Sequence, residues 1–451
     1  MKNVDLTEGS IGKGMISFAI PVFLGQLLQQ LYNVADAWVV GNFADNDSFA
    51  AVSSAGNLLF FVTGFFGGIG TGGGVVISKY FGARKQESVE CAVHTNMLFA
   101  ILASILSTAV GLLVVPQLLV LMKTPASVLP QSLVYFRIYF AGVSTVILYN
   151  VCMSVMRALG DSVRPLYYLL VSSLTNVVLD LLLVAVLGLG VGGAALATVI
   201  SQGLSVALCL IRMCSKRSIV RLELKKLKYD GKMMGEVIRQ GLPTGIQNSV
   251  ISIGNMVVQT NINSFDAYAM SGQGAYAKIE GFAFLPITSM SMTLPTFISQ
   301  NLGAGKTKRA KKGALFGIVT GVVLAELIGI AFYLWAPAAL RLFVDSEEAI
   351  RFGTIHARVV SLFFFLLAFS HCAAGVLRGC GKSIVPMVAM LSFWCGVRIL
   401  YVTQMLKLVH EFQVISWAYP LTWSLSSVVF LIFLLKSDWT KAFENLREKQ
   451  A

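Results

Sequence analysis

Two aspartates lie in stretches otherwise built from leucine, valine and alanine. Asp180 sits in SSLTNVVLDLLLVAVLGLG, residues 172–190, four residues after Asn176, so both side chains project from one helix face. Asp36 sits in LYNVADAWVVG, three residues after Asn33. A carboxylate in hydrocarbon costs on the order of 3 kcal/mol, so each must be paired, neutralised or hydrated. The same half of the chain adds Asn150 in ILYNVCMSV and Thr198 in ALATVISQG, but no lysine or arginine at that depth. With a helix rise of about 1.5 Å per residue, Asp36, Asp180 and Thr198 lie roughly 8–10 Å inside one end of their spans, with Asn176 a turn deeper.

An Asn or Thr alone in such a helix is more often a helix-to-helix hydrogen bond than a ligand. Two acids without a cation differ, because both cannot stay ionised side by side. One proton, or one sodium ion held by oxygens of Asp36, Asn176, Asp180 and Thr198, removes the conflict. Asp36, Asn150, Asn176, Asp180 and Thr198 are therefore read as a cation-coupling set, with H+ or Na+ as the ion and no organic cofactor.

Composition says what must position them. With 56% hydrophobic and 13% charged residues among 451, the chain is too apolar for an ordinary soluble globule. Apolar runs long enough to cross a bilayer recur near 14–40, 49–78, 91–115, 132–156, 165–187, 191–211, 239–262, 271–299, 313–337, 353–377, 385–407 and 412–435. Period-2 alternation is absent, which argues against barrel strands. The expected fold class is an all-α integral membrane protein with twelve transmembrane helices. The first run carries Pro21, Gln26, Gln29 and Gln30 after a polar start, which describes an uncleaved span and not a signal peptide. The seven cysteines show neither a disulfide framework nor zinc spacing.

The net charge of +13 collects in alternate loops: Lys79, Arg84 and Lys85; Arg157 and Arg164; Arg212 to Arg239; Lys306 to Lys312; Arg378 and Lys382; and the C-terminal tail. The other loops hold little beyond Lys123, Arg341, Arg351 and Lys407, with the acids Asp45, Asp47, Asp345, Glu347 and Glu348. This positive-inside pattern places both termini in the cytoplasm of a multi-pass protein of the bacterial cytoplasmic membrane. The basic excess is a topology signal with weak attraction to membrane lipid, not a nucleic-acid footprint.

The chain also repeats itself. ISKYFGARK at 77–85 returns as ISQNLGAGK at 298–306, and RALGDSVRP at 157–165 returns as RGCGKSIVP at 378–386, both displaced by 221 residues. Pro21 and Asn33 match Pro243 and Asn255 with a displacement of 222. An even number of spans per half gives two copies of the same orientation, parallel six-helix lobes. The expected division is an N-terminal lobe at 1–213, a basic cytoplasmic linker at 214–238 read as a surface helix, and a C-terminal lobe with a short cytoplasmic tail at 239–451. Pro21 and Pro243 weaken the first helix of each half and are candidate hinges.

The second half does not repeat the acids. Asn150 maps to His371, Asn176 to Val397, Asp180 to Tyr401, and Asp36 to Val257 or Val258. Its own charges, Lys278, Glu280 and Arg398, can satisfy one another as a buried network. Gln29, Asn33, Asn255, Glu280, His371 and Arg398 are left open between lining a substrate cavity and holding structure. GCGKS at 379–383 lacks the glycine a phosphate loop needs, since Val376 holds that place. GGIGTGGG at 67–74 lies inside a span with no strand before it, so close helix packing accounts for it better than a nucleotide. The four histidines are dispersed, and nothing here suggests an enzyme.

Taken together, the sequence resembles the multidrug and toxic compound extrusion (MATE) family along essentially its whole length. The carrying features are the twelve spans in two parallel halves, P…VADAWVVG, the GA loops at 82–83 and 303–304, and RALGDSVRP with its echo. The set Asp36, Asn150, Asn176, Asp180 and Thr198 is similar to the first-lobe cation site of the branch resembling DNA-damage-inducible F proteins. The resemblance implies a V-shaped, monomeric antiporter that exports small organic compounds, often cationic and aromatic, in exchange for protons or sodium. It also implies bending at Pro21. Competing readings are a lipid-linked oligosaccharide flippase, for which the first lobe lacks basic residues, another carrier on a related scaffold, and a non-transporting membrane receptor.

Overall fold

The computed structural model describes residues 5–44, 46–121, 125–216, 218–223, 225, 227, 229–444 and 446, without the side chains of 46–61, 118 and 121. Asp45, Lys123 and the side chain of Asp47, which entered the loop-charge pattern, lie outside what is described.

Apolar runs this long leave the backbone no partner but itself, so every described element is helical. The order is α1 Ile11–Phe43, α2 Asn46–Gly82, α3 Gln86–Leu121, α4 Leu129–Ala141, α5 Val143–Ala158, α6 Val163–Asp180, α7 Gly190–Cys214, α8 Gly231–Ile262, α9 Ala267–Ala283, α10 Leu285–Gly303, α11 Thr307–Leu340, α12 Glu347–Ser361, α13 Phe364–Gly379, α14 Ile384–Met390, α15 Arg398–Leu408 and α16 Phe412–Lys436. A π turn, Leu181–Val186, continues α6, and a second, Leu391–Val397, joins α14 to α15. Three rods are bent pairs: α4 with α5 by 47°, α9 with α10 by 44°, and α12 with α13 by 55°. These pairs and seven single rods are long and apolar enough to cross a membrane, and α2 and α8 bring the described rods to twelve. Gln247, Asn248, Asn255, Gln259 and Asn261 dilute the apolar run of α8.

The repeated motifs are helix stops. Gly160 (φ 84°) ends α5, with Asp161 N donating to Met156 O at 3.0 Å; Gly381 (φ 77°) ends α13, with Lys382 N donating to Leu377 O at 2.9 Å. The GA loops close α2 and α10 the same way, through Lys85 N to Tyr80 O and Lys306 N to Asn301 O.

The chain divides into two compact units: 24–245, and 4–23 with 246–451. Both divisions fall inside helices, two residues beyond Pro21 and Pro243, and α1 and α8 run through those prolines as single helices. In the first unit the core gathers Phe136, Ile147, Cys152 and Val155. The glycines of α2 serve close packing there: a Cβ on Gly68 would come within 2.5 Å of Gly245 N, and one on Gly72 would overlap the Gly241 backbone. Lys79 Nζ donates to Glu236 at 2.7 Å beside that seam.

In the second unit the core gathers Phe297, Phe364, Cys372 and Phe430. Leu6 is buried in it, and Asn301, Lys306 and Arg309 donate to the carbonyls of Leu6, Thr7, Glu8 and Gly9. The described residues between 215 and 230 form no continuous surface helix, contrary to the sequence reading. Val220 and Leu222 bury, Leu222 N donates to Met213 O, and Glu223 N donates to His94 Nε2, so this stretch is tied to α7 and α3.

Candidate functional site

Asp36 projects from α1, Asp180 ends the α-helical part of α6, and Thr198 lies two turns into α7. Asp36 and Asp180 are neighbours whose side chains interact with one another. A hydrogen bond between two carboxyls requires that one of them carry a proton. Among the described residues no ion pair involves either aspartate. One oxygen of each, Oδ1, is buried without a protein partner.

Asn176 is fully buried beside Asp180. With its amide oriented to satisfy its neighbours, Nδ2 donates to Asp180 Oδ2 at 2.7 Å and Oδ1 accepts from Thr198 N at 3.2 Å. Thr198 Oγ1 donates to Ala194 O at 3.0 Å and lies 3.4 Å from Tyr32 OH. Thus α1, α6 and α7 bring Asp36, Asn176, Asp180 and Thr198 into one cluster.

Asn150 takes other partners. Its Nδ2 donates to Val146 O at 2.8 Å, and its Oδ1 faces Gly67 of α2. Tyr32 joins the cluster although the sequence reading passed over it; its spacing of four before Asp36 was the available signal. Tyr135 of α4, stacked on Tyr139 at 6.3 Å, is buried within electrostatic reach of the acids. Val39, Val40, Val184 and Ala194 form a separate apolar cluster about one turn from the acids, toward the end where α1 and α6 finish and α7 begins.

Such a layer can hold a proton between carboxyls, or a small hard cation on carboxylate, amide and hydroxyl oxygens. Among the described residues no cluster of three or more His, Cys, Asp or Glu suits a transition metal.

The remaining singled-out residues lie elsewhere. Gln29 Nε2 donates to Asn33 Oδ1 at 3.5 Å on an exposed face of α1, and Asn255 is exposed on α8. His371 packs edge-on against Phe284 and Trp394, each at 5.3 Å. Lys278, Glu280 and Arg398 do not form one network, contrary to the sequence reading: among the described residues no ion pair joins any two of them, and Lys278 is exposed near the Phe343 ring. Residues 278 and 280 are two apart on α9 and so face different ways.

The MatE family model matches this chain twice, over residues 21–182 and 243–402. The two matches coincide with the repeated halves. A probable multidrug resistance protein of Bacillus subtilis, YpnP, is 27% identical over 396 residues, covering 87% of this chain and 88% of the relative. A solved outward-facing multidrug resistance MATE family transporter of the MOP superfamily superposes with a TM-score of 0.90 at 21% identity, covering 99% of each chain. A MATE structure described as bent superposes with a TM-score of 0.89 at 21% identity, over 100% of this chain and 99% of the other. With the family model matching both halves of a duplicated, all-helical membrane fold, the chain belongs to the MATE family of membrane transporters and is not an enzyme.

Proposed function

We propose that this protein is an efflux antiporter that exports organic, cationic or aromatic compounds in exchange for a cation by alternating access. The observation that carries the reading is the side-chain interaction of Asp36 with Asp180, neither of which is ion-paired to a lysine or arginine among the described residues. A proton satisfies that interaction directly. Sodium is supported by the free Oδ1 on each aspartate and by the oxygens of Asn176 and Thr198.

Loading the ion neutralises the charge that a cationic substrate would otherwise meet. Ion and substrate therefore bind in mutual opposition, a reciprocal coupling free energy. For an uncharged substrate, one charge moving inward across 100 mV gains about 2.3 kcal/mol, more than the roughly 1.4 kcal/mol of a tenfold outward gradient; for a monovalent cationic substrate the charges cancel and the ion's own concentration gradient drives export. Pro21, two residues before the division of α1 between the units, is the proposed bending point, with Pro243 its counterpart in α8. The protein is expected to act as a monomer in the bacterial cytoplasmic membrane, with both termini in the cytoplasm.

The test is ethidium efflux from proteoliposomes under a pH gradient alone and a sodium gradient alone. Asp36→Asn and Asp180→Asn should each abolish efflux driven by the gradient that works for the parent. Full activity in either variant would refute the assignment.

A further inference from the structure

Arg398 is only 2% exposed, yet no carboxylate lies within ion-pair distance of it among the described residues. Its Nη2 and Nε donate to Thr422 Oγ1 at 2.9 and 3.3 Å, and its guanidinium lies 4.4 Å from the Tyr419 ring centroid and 5.7 Å from that of Trp394. Glu280, half-buried, accepts from Tyr276 OH at 3.1 Å. Glu280 and Arg398 lie within electrostatic reach of one another and of Tyr419, without touching. The second unit thus holds one charge of each sign apart across aromatic rings.

A buried pair kept for structure gains most by closing to contact, because separation forfeits Coulomb energy while the desolvation cost remains. The aromatic faces offset part of that cost for the guanidinium. Thr422 also occupies the Nε–Nη2 edge, the edge with which arginine takes a carboxylate bidentately, using a single neutral oxygen. Arg398 is the first residue after the π turn Leu391–Val397, as Asp180 is the last before the π turn Leu181–Val186. Such turns recur at functional positions in helices.

We propose that Glu280 and Arg398 form a two-ended substrate subsite for aromatic compounds that carry both a cationic nitrogen and a carboxylate. The nitrogen goes to Glu280, the carboxylate replaces Thr422 on the guanidinium edge, and the rings lie against Tyr276, Trp394 and Tyr419. This inference rests on the efflux reading for its cargo, but not on the Asp36–Asp180 site.

The test compares rhodamine 110, a free acid, with rhodamine 123, its methyl ester, in proteoliposomes. Arg398→Gln should slow export of the acid about tenfold or more and leave the ester within about twofold, the difference of one charge-assisted bidentate contact. Arg398→Lys should restore part of the export of the acid. Glu280→Gln should weaken both dyes alike, since both keep the nitrogen. Equal losses of acid and ester in Arg398→Gln, or no loss of either, would overturn the subsite. If the parent exports neither dye, ethidium export decides the efflux reading, and dye anisotropy in detergent still decides the subsite. Tighter binding of the acid than of the ester, lost in Arg398→Gln, supports it; equal affinities in the parent overturn it.

Discussion

Arg84 and Gly305 occupy the same left-handed turn in the two halves, with φ of 56° and 72° and a displacement of 221 residues. The turn closes α2 in one half and α10 in the other, and only one half gives it the residue without a Cβ. An L-residue held there costs about 1 kcal/mol. Gly305→Ala is expected to lower the stability of the purified transporter by about that much, read as a lower thermal midpoint in detergent. Arg84→Gly removes the same strain at the price of the arginine's own contacts, so its loss should be smaller than that of Gly305→Ala. The reverse ranking would mean that the turn is not strained by its side chain.

Gly72 belongs to the seam where α2 and α8 approach through Gly68, Gly72, Gly241 and Gly245. Helices in lipid have little hydrophobic drive to associate, so such an approach rests on backbone contact. Gly72→Val must push the helices apart or rotate one of them, a cost on the order of 1–3 kcal/mol or more. The expected result is a poorly folded or low-melting protein, whereas Gly235→Ala, on α8 where a Cβ meets nothing, should melt like the parent. Equal melting of Gly72→Val and parent would contradict the packing.

Much of this was legible in the sequence for physical reasons. Hydrocarbon forces long apolar helices, and the repeat offset ties Gly160 to Gly381 and Pro21 to Pro243 whatever the fold. Asp36 and Asp180 announced themselves because an acid in lipid has few tolerable surroundings. What depth and spacing could not supply was rotation about the helix axis. Asn150 has a suitable helix but turns to α2, Lys278 and Glu280 face different ways, and Tyr32 reads as one more aromatic until Thr198 is found beside it. The linker misled because its basic residues suited an amphipathic surface helix, while Val220 and Leu222 needed burial.

Asn176 and Tyr32 both touch the acid cluster, but with unequal geometry. Asn176 donates to Asp180 at 2.7 Å and also accepts from Thr198 N, whereas Tyr32 OH is 3.4 Å from Thr198 Oγ1, near the limit of a hydrogen bond. Asn176→Leu leaves the ionised carboxylate without its donor, a change of about 1–3 kcal/mol, or roughly fivefold to more than a hundredfold in ion affinity, with a proton held more tightly. Tyr32→Phe removes at most about 1 kcal/mol, or roughly fivefold. The half-saturating ion concentration for driven efflux reads both. A larger effect from Tyr32→Phe would move the centre of the site toward α1 and α4.

Val184 sits in the π turn directly after Asp180 and packs with Val39, Val40 and Ala194, each within about a turn of an acid or of Thr198. An apolar cluster of this kind excludes water from the carboxyls, and exclusion is what obliges an ion to be exchanged instead of passing through. Val184→Ser keeps much of the volume but gives water a partner inside the cluster. Liposomes carrying this variant should dissipate an imposed pH gradient without substrate, faster than parent liposomes. The second substitution Asp180→Asn should suppress that leak, because it removes the group through which the proton passes. A tight Val184→Ser variant would show that the seal on the acids lies elsewhere, and a leak that survives Asp180→Asn would show that the proton's route avoids Asp180.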